Sequence, residues 1–131
     1  MTGKRDLKIL LRTLKPSLNE GNYVFISLKD IQHISREDIL FEFKEREGTT
    51  VILKKNKADE LSLTYEFIAS WITLTVHSAL DAVGLTAAVS TALTKHDISC
   101  NVVAAYYHDH IFVAKKDTEK AMDILREFSN A

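Results

Sequence analysis

The hydrophobic pattern of the N-terminal segment predicts a short helix followed by a turn. Leu7, Leu10, Leu11 and Leu14 recur at i, i+3, i+4 and i+7, which places them on one face of a helix of about ten residues. Pro16 ends that helix, because its ring cannot continue the hydrogen-bonding pattern. The residues 19–22 are typical of a turn and lead into a β-rich run that starts at Tyr23.

A hairpin is predicted next. Phe41 and Phe43 alternate with Glu42 and Lys44, which is the pattern of a strand with one buried face and one solvent-exposed face. Residues 47–48 form a plausible turn, residues 51–53 the returning strand, and residues 56–60 a polar turn or short helix.

The run 65–77 reads as one long strand. Ile68, Ile72, Leu74 and Val76 share a face that Ser70 interrupts. The length of this run suggests that it serves two neighbouring sheets or one continuous sheet. We therefore predict that this strand contains the boundary between a first unit, residues 1–68, and a second unit, residues 69–131.

The second half alternates between helix and strand patterns. Leu85, Ala88, Val89, Ala92 and Leu93 form an amphipathic stripe lined with small residues. Residues 98–106 read as a strand, 107–109 as a turn and 110–114 as the return, and a last helix begins at 117 or 118. This order predicts an α+β protein of two split β-α-β units.

Composition and charge narrow the function classes. The formal net charge is −1, which argues against nucleic-acid binding, and no apolar run is long enough for membrane insertion. The N-terminus has no signal-peptide pattern. The single cysteine, Cys100, excludes an intramolecular disulfide and fits a reducing compartment, so we expect a cytoplasmic protein.

Local catalytic signatures are missing from the chain. It has no glycine-rich phosphate loop and no HExxH or CxxC motif. Cys100 opens an apolar strand, where a thiol is usually a small core residue rather than a nucleophile. His108 and His110 share a strand face and would supply half a metal site, but a polar hairpin tip is the simpler interpretation. We therefore expect no enzyme, no cofactor and no metal.

The segment 78–87 is the most informative. A strand ends, Gly84 allows a tight turn, and a small-residue helix begins at Leu85 and Thr86. Free amides at a helix start suit a carboxylate, and the nearby Asp81 suits an ammonium group. Many such turns bind nothing, so this pattern leaves a structural role open.

A family resemblance begins at this turn. The run 81–87, the helix after it and the hairpin 98–113 resemble an ACT domain, and the run 14–25 is similar to the opening motif of small bacterial proteins with two such units. Those proteins are similar to tandem-ACT amino-acid sensors. Where the subgroup commonly has Ser-Thr and Thr-Asp-Tyr, this chain has Ala104-Ala105 and His108-Asp109-His110.

The resemblance implies two ferredoxin-like βαββαβ units, each with an antiparallel sheet and helices on one face. It also implies an amino-acid ligand at an inter-unit interface, and a homodimer or higher homo-oligomer. Gly84 and Asp109 match the positions that contact ligand in the sensors. The predicted ligand-binding residues are Asp81, Val83, Gly84, Leu85, Thr86, His108 and Asp109.

Two functions follow as hypotheses. The first is a stand-alone, non-enzymatic regulatory or sensor protein that binds an amino acid or a similar small ligand. The alternative is a ligand-free interaction or accessory module that pairs with itself, a metabolic enzyme or a transport system. A metal-dependent enzyme built on His108 and His110 is a third, weaker hypothesis.

Overall fold

A computed structural model describes residues 3–76 and 84–130 of the chain. Its helices are α1 (Gly3–Arg12), α2 (Lys55–Glu60), α3 (Leu85–Thr94) and α4 (Thr118–Glu127). Its strands are β1 (Lys15–Leu18), β2 (Tyr23–Leu28), β3 (Ile39–Lys44), β4 (Thr49–Lys54), β5 (Ile68–Thr75), β6 (Asn101–Ala104) and β7 (Asp109–Ala114). Within the described parts of the chain, no helix is long and apolar enough to cross a membrane.

The chain folds into two compact units that do not follow simple sequence order. Unit 2 consists of residues 20–69, and unit 1 combines residues 1–19 with residues 70–131. The chain passes from unit 2 into unit 1 within β5. The boundary expected between residues 68 and 69 falls in the same strand, and as a division into two sequence-contiguous halves it remains a prediction.

Unit 2 contains a sheet in the order β3-β4-β2-β5, in which the pairs β3–β4, β4–β2 and β2–β5 are antiparallel. The β2–β4 pair is regular from Tyr23 opposite Lys54 to Leu28 opposite Thr49. One face packs into a core with α2, through the fully buried Ala58. The buried residues of this core are Val24, Ile26, Ile34, Val51, Leu53 and Ala58.

Unit 1 has the strand order β1-β5-β7-β6, with β1 antiparallel to β5 and β6 antiparallel to β7. Helices α3 and α4 supply buried apolar side chains to one core with these strands, and α1 packs against it through Leu7, Leu10 and Leu11. The core residues are Leu14, Ile72, Leu74, Val76, Leu85, Val89, Leu93, Ile98, Ile111, Val113, Ala121, Met122, Ile124 and Leu125.

The structure confirms most of the predicted elements and corrects others. Strand β1 was not predicted: Pro16 ends the helical pattern, but it then lies in a strand opposite Leu74. Strand β5 covers 68–75 of the predicted run 65–77, of which residue 77 lies outside the described residues, and β6 covers 101–104 of 98–106. Asp109 is the first residue of β7 rather than part of the turn. In each case strand pairing rather than residue type decides where the strand forms and where it ends.

Candidate functional site

In unit 1, strand β7 lies beside strand β5, and this places the predicted hairpin residues near the end of β5. The Trp71 ring stacks on Phe112 with centroids 6.4 Å apart, and Thr73 Oγ1 lies 3.2 Å from His110 Nδ1. Residue numbers that increase along β5 are matched by contacting residue numbers that decrease along β7, so the two strands are antiparallel. The C-terminal end of β5 therefore lies at the same end of the sheet as the hairpin tip before Asp109.

His110 is the centre of a polar cluster on the sheet face opposite the core. Its Nδ1 accepts a 2.9 Å hydrogen bond from Trp71 Nε1. The Asn19 side-chain amide donates to Thr73 Oγ1 at 2.9 Å and to the Trp71 carbonyl at 3.2 Å. These contacts fix Nδ1 as an acceptor, so the neutral His110 ring carries its proton on Nε2.

The electrostatics of this cluster favour the neutral ring. Burial lowers the pKa of His110 below its usual 6.5, the neighbouring His108 lowers it further, and Asp109 opposes both effects. The sequence analysis did not predict this cluster, although Trp71 and Thr73 are two residues apart in β5 and therefore share one face of the strand. That alternation was the available signal, but only strand pairing shows that they face His110.

His108 lies immediately before β7, with its ring edge-on to His110 and the centroids 6.2 Å apart. Its Nδ1 is buried and has no hydrogen-bond partner among the described residues. Leaving a buried polar atom unpaired costs about 1–3 kcal/mol, so native structures rarely retain one without a use. Among the described residues, this is the buried side-chain nitrogen or oxygen that has no hydrogen-bond partner.

The predicted turn residues are only partly described. Gly84 precedes α3 in the left-handed conformation, with φ of 97°. A Cβ at Gly84 would lie 3.0 Å from Leu7 Cδ2, so α1 packs against the side of the turn where a side chain would be. The Leu85 side chain is buried in the core, whereas Thr86 is exposed. Asp81 and Val83 lie outside the described residues.

The metal and thiol hypotheses find little support in the geometry. In the described ranges, no group of three or more His, Cys, Asp or Glu side chains is placed to hold a metal ion. The Nδ1 lone pair of His110 is already used by Trp71. Burial raises the pKa of the Cys100 thiol to about 11, the opposite of what an activated nucleophile requires.

Unit 2 contains an open polar cleft that the sequence did not indicate. It measures about 430 Å³ and is lined by Glu20, Gly21, Asn22, Lys54, Lys55, Asn56 and Asp59. The Lys55 ammonium is held by Asp59 at 2.9 Å, and Asp59 also accepts a 2.6 Å hydrogen bond from Tyr65. The cleft therefore combines both signs of charge, and part of that charge is already paired internally.

Four antiparallel strands with helices on one face define the ferredoxin-like class of α+β unit. Unit 1 has four such strands with α3 and α4, and unit 2 has the same type of sheet with the short helix α2. A family model described as ACT domain matches residues 2–70, and a second model of the same description matches residues 66–127. The chain belongs to the ACT domain family, in a tandem arrangement. The family resemblance seen in the sequence is confirmed.

Solved structures agree with this assignment. A Vibrio cholerae protein of unknown function, described as a possible transport protein, is 43% identical with a TM-score of 0.88, over 98% of this chain and 99% of that one. The regulatory subunit of aspartate kinase from Thermus thermophilus is 10% identical with a TM-score of 0.56, over 87% and 95%. No curated protein matches the sequence.

Aspartate kinase from Clostridium acetobutylicum gives a similar result. It is 11% identical with a TM-score of 0.65, over 89% of this chain but only 34% of the kinase. At such identities the likeness shows the fold alone. ACT domains are regulatory modules that often bind amino acids, and they are not themselves catalytic.

Proposed function

We propose that this protein is a non-catalytic ACT regulatory module that binds an amino acid or a similar small zwitterion on unit 1. The ligand would lie where the C-terminal end of β5 meets the β6–β7 hairpin. The observation that carries this proposal is the buried Nδ1 of His108, which has no partner among the described residues. A bound polar ligand would satisfy that atom.

The groups of the predicted site suit the two charges of an amino acid. The Asp109 carboxylate adjoins His108 in the chain and is the natural partner of a ligand ammonium group. The Leu85 and Thr86 backbone amides lie in the first turn of α3, where the helix dipole favours a carboxylate. Gly84 belongs to the predicted site as well, and so do Asp81 and Val83, which lie outside the described residues.

A panel of the twenty amino acids tests the proposal by thermal shift and calorimetry. A ligand at a hundredfold excess over Kd stabilises the folded state by about 2.7 kcal/mol, a shift of several degrees. We expect His108→Ala and Asp109→Asn to lose this shift, and His33→Ala, a change at an exposed histidine, to keep it. No shift with any amino acid would overturn the function. A shift that survives in His108→Ala would overturn the site.

A second candidate function is a ligand-free interaction module. The specific observation in its favour is a pair of exposed aromatic rings at the β6–β7 hairpin, Tyr106 at 75% and Tyr107 at 79% exposure, with centroids 4.9 Å apart. Exposed aromatic pairs are typical anchors of protein interfaces. This function predicts that Tyr107→Ser abolishes partner binding, whereas the ligand-binding function predicts no such effect.

We also propose a cytoplasmic location, supported by the single cysteine and the near-neutral charge of the chain. Fractionation of cells that express the tagged protein tests this placement. Recovery with the membrane or the exported fraction would contradict it.

A further inference from the structure

The polar cleft of unit 2 is a cavity that the proposed function does not use. It lies where the start of β2 meets the end of β4, and its volume is about 430 Å³. Small-molecule sites usually measure roughly 300–1,000 Å³. All of the lining residues fall within residues 20–69, so the cleft belongs to unit 2 alone. It is therefore a candidate binding site separate from the one proposed on unit 1.

Hydrogen bonds hold the walls of the cleft in place. The Asn22 carbonyl accepts a 2.8 Å hydrogen bond from the Lys55 backbone N–H, which ties the start of β2 to the start of α2. The Tyr23 hydroxyl donates to the Glu20 carbonyl at 3.1 Å on the same side. A site whose backbone is already fixed loses little conformational entropy when a ligand binds.

The Asp59 carboxylate is already engaged at both oxygens. Oδ2 pairs with Lys55 Nζ at 2.9 Å, and Oδ1 accepts the 2.6 Å hydrogen bond from the Tyr65 hydroxyl. The Lys55 ammonium carries three N–H donors, and this ion pair uses one of them. Lys54 forms no ion pair with any described residue. The two lysines of the cleft therefore keep N–H donors that its own carboxylates do not satisfy.

The other polar side chains of the cleft are also free to meet a ligand. Glu20 forms no ion pair with any described residue, and its carboxylate accepts no hydrogen bond from them. The side-chain amides of Asn22 and Asn56 likewise have no hydrogen-bond partner within the described ranges. An amide offers donors and an acceptor, which together match the two roles of a hydroxyl group. The lysines thus suit an anionic group, and the amides and Glu20 suit hydroxyl groups.

We propose that the polar cleft of unit 2 binds a small anion that carries both a carboxylate and several hydroxyl groups, namely a sugar acid or a related hydroxy acid. Its carboxylate would accept charge-assisted hydrogen bonds from Lys54 and Lys55. Its hydroxyl groups would donate to Glu20 and exchange hydrogen bonds with Asn22 and Asn56. At the binding efficiency usual for ligands of this size, we expect a Kd of about 1 mM.

Three probes that share parts of one structure test this chemistry on the whole isotope-labelled protein by NMR titration. Gluconate has the carboxylate and the hydroxyl groups, glucose has only hydroxyl groups, and hexanoate has only the carboxylate. At constant ionic strength, gluconate should move the backbone amide signals of Gly21, Asn22 and Lys55 in a saturable way. Glucose and hexanoate should bind at least about tenfold more weakly. Unmoved signals with gluconate, or equal binding of the three probes, would overturn the proposal.

Variants of the cleft test the role of each charge. Lys54→Gln should raise the gluconate Kd by about tenfold, because a charge-assisted hydrogen bond is lost. Lys44→Gln, a matched change at an exposed lysine of unit 2 outside the cleft, should keep the Kd within about twofold. Glu20→Ala should reduce the preference for gluconate over hexanoate, because it removes a hydroxyl acceptor. An unchanged Kd in Lys54→Gln, an equal loss in Lys44→Gln or an unchanged preference in Glu20→Ala would contradict the proposed contacts.

One further variant separates this site from the one proposed on unit 1. His108→Ala changes unit 1 and should bind gluconate as the wild type does. Loss of gluconate binding in that variant would place the anion on unit 1 and overturn the proposal. Competition between alanine and gluconate for the signals of Gly21 and Asn22 would show an amino-acid site in the cleft and would also overturn it. A thermal-shift panel without any amino-acid effect bears on unit 1 alone.

Discussion

The Trp71 indole donates its Nε1–H to Nδ1 of His110 across the β5–β7 pair, at 2.9 Å. This bond requires the unprotonated nitrogen, so it exists only while the imidazole is neutral. Protonation would place two donors against each other on a partly buried sheet face. The conformation of the only tryptophan in the chain is thereby linked to the charge of one histidine.

This link predicts a pH-dependent stability. The pKa of His110 is lowered in the folded state, chiefly by burial, so the unfolded chain takes up the proton first on acidification. The free energy of unfolding should therefore fall as the pH decreases through 6.5 to the folded pKa, and level off below it. Urea denaturation at a series of pH values measures this slope.

The fluorescence of Trp71 gives a direct readout of the same titration. We expect a change in tryptophan emission below pH 6.5 that disappears in His110→Asn, which keeps an acceptor but does not titrate. The matched control His96→Asn, at an exposed position, should keep the transition. An identical titration in His110→Asn would show that another group is responsible.

Glycine substitutions separate backbone strain from packing at the predicted ligand turn. Gly21 and Gly84 both have positive φ, 100° and 97°, but only Gly84 has a close neighbour at the Cβ position, Leu7. We expect Gly21→Ala to destabilise by about 1–2 kcal/mol through strain alone. Gly84→Ala should add about 1 kcal/mol because Leu7 must move.

A double variant checks the origin of that difference. Leu7→Ala should lower the added cost of Gly84→Ala, which denaturation of the four proteins in the cycle measures. An added cost that is the same with and without the Leu7 side chain would contradict packing as the cause.

The core of unit 1 depends on α3. Leu93 is fully buried, so Leu93→Ala should cost about 2–5 kcal/mol by leaving a cavity. The neighbouring Thr91 is exposed, and Thr91→Ala should change stability by no more than about 0.5 kcal/mol. Thermal denaturation of the two variants compares a core and a surface position of one helix. Equal losses of stability in the two variants would contradict the assignment of the buried face of α3.

Cys100 should react slowly with alkylating reagents while the protein is folded. Burial raises the thiol pKa from the reference 9.0 to about 11, which lowers the reactive thiolate fraction about a hundredfold near neutral pH. The rate of iodoacetamide modification should therefore rise strongly when the chain is unfolded in urea. Rapid modification of the folded protein would contradict the packed position of this thiol.

Much of the fold was predictable because its elements have strong local patterns. The stripe from Leu85 to Leu93 identified α3, and the alternation around Phe41 and Phe43 identified β3. Strand β1 was not predictable in this way. It contains Pro16 and no buried residue, and it is a strand because residues 72–75 of β5 lie beside it.

The residues of the candidate site likewise fall into those that a local pattern predicts and those that it does not. His108, Asp109 and Gly84 stood out from sequence alone, because glycine before a small-residue helix and acids in nearby loops are local features. The partners of His110 did not, since Asn19, Trp71 and Thr73 come from two segments far apart in the chain.

The sequence by itself determined the family, the α+β class and the position of most elements, because periodicity, turn residues and family motifs act over short ranges. The tertiary structure decided which residues meet. It joined residues 1–19 to residues 70–131 as one unit, paired His110 with Trp71, and left His108 Nδ1 unsatisfied among the described residues. These outcomes depend on strand pairing between distant segments, which no local pattern encodes.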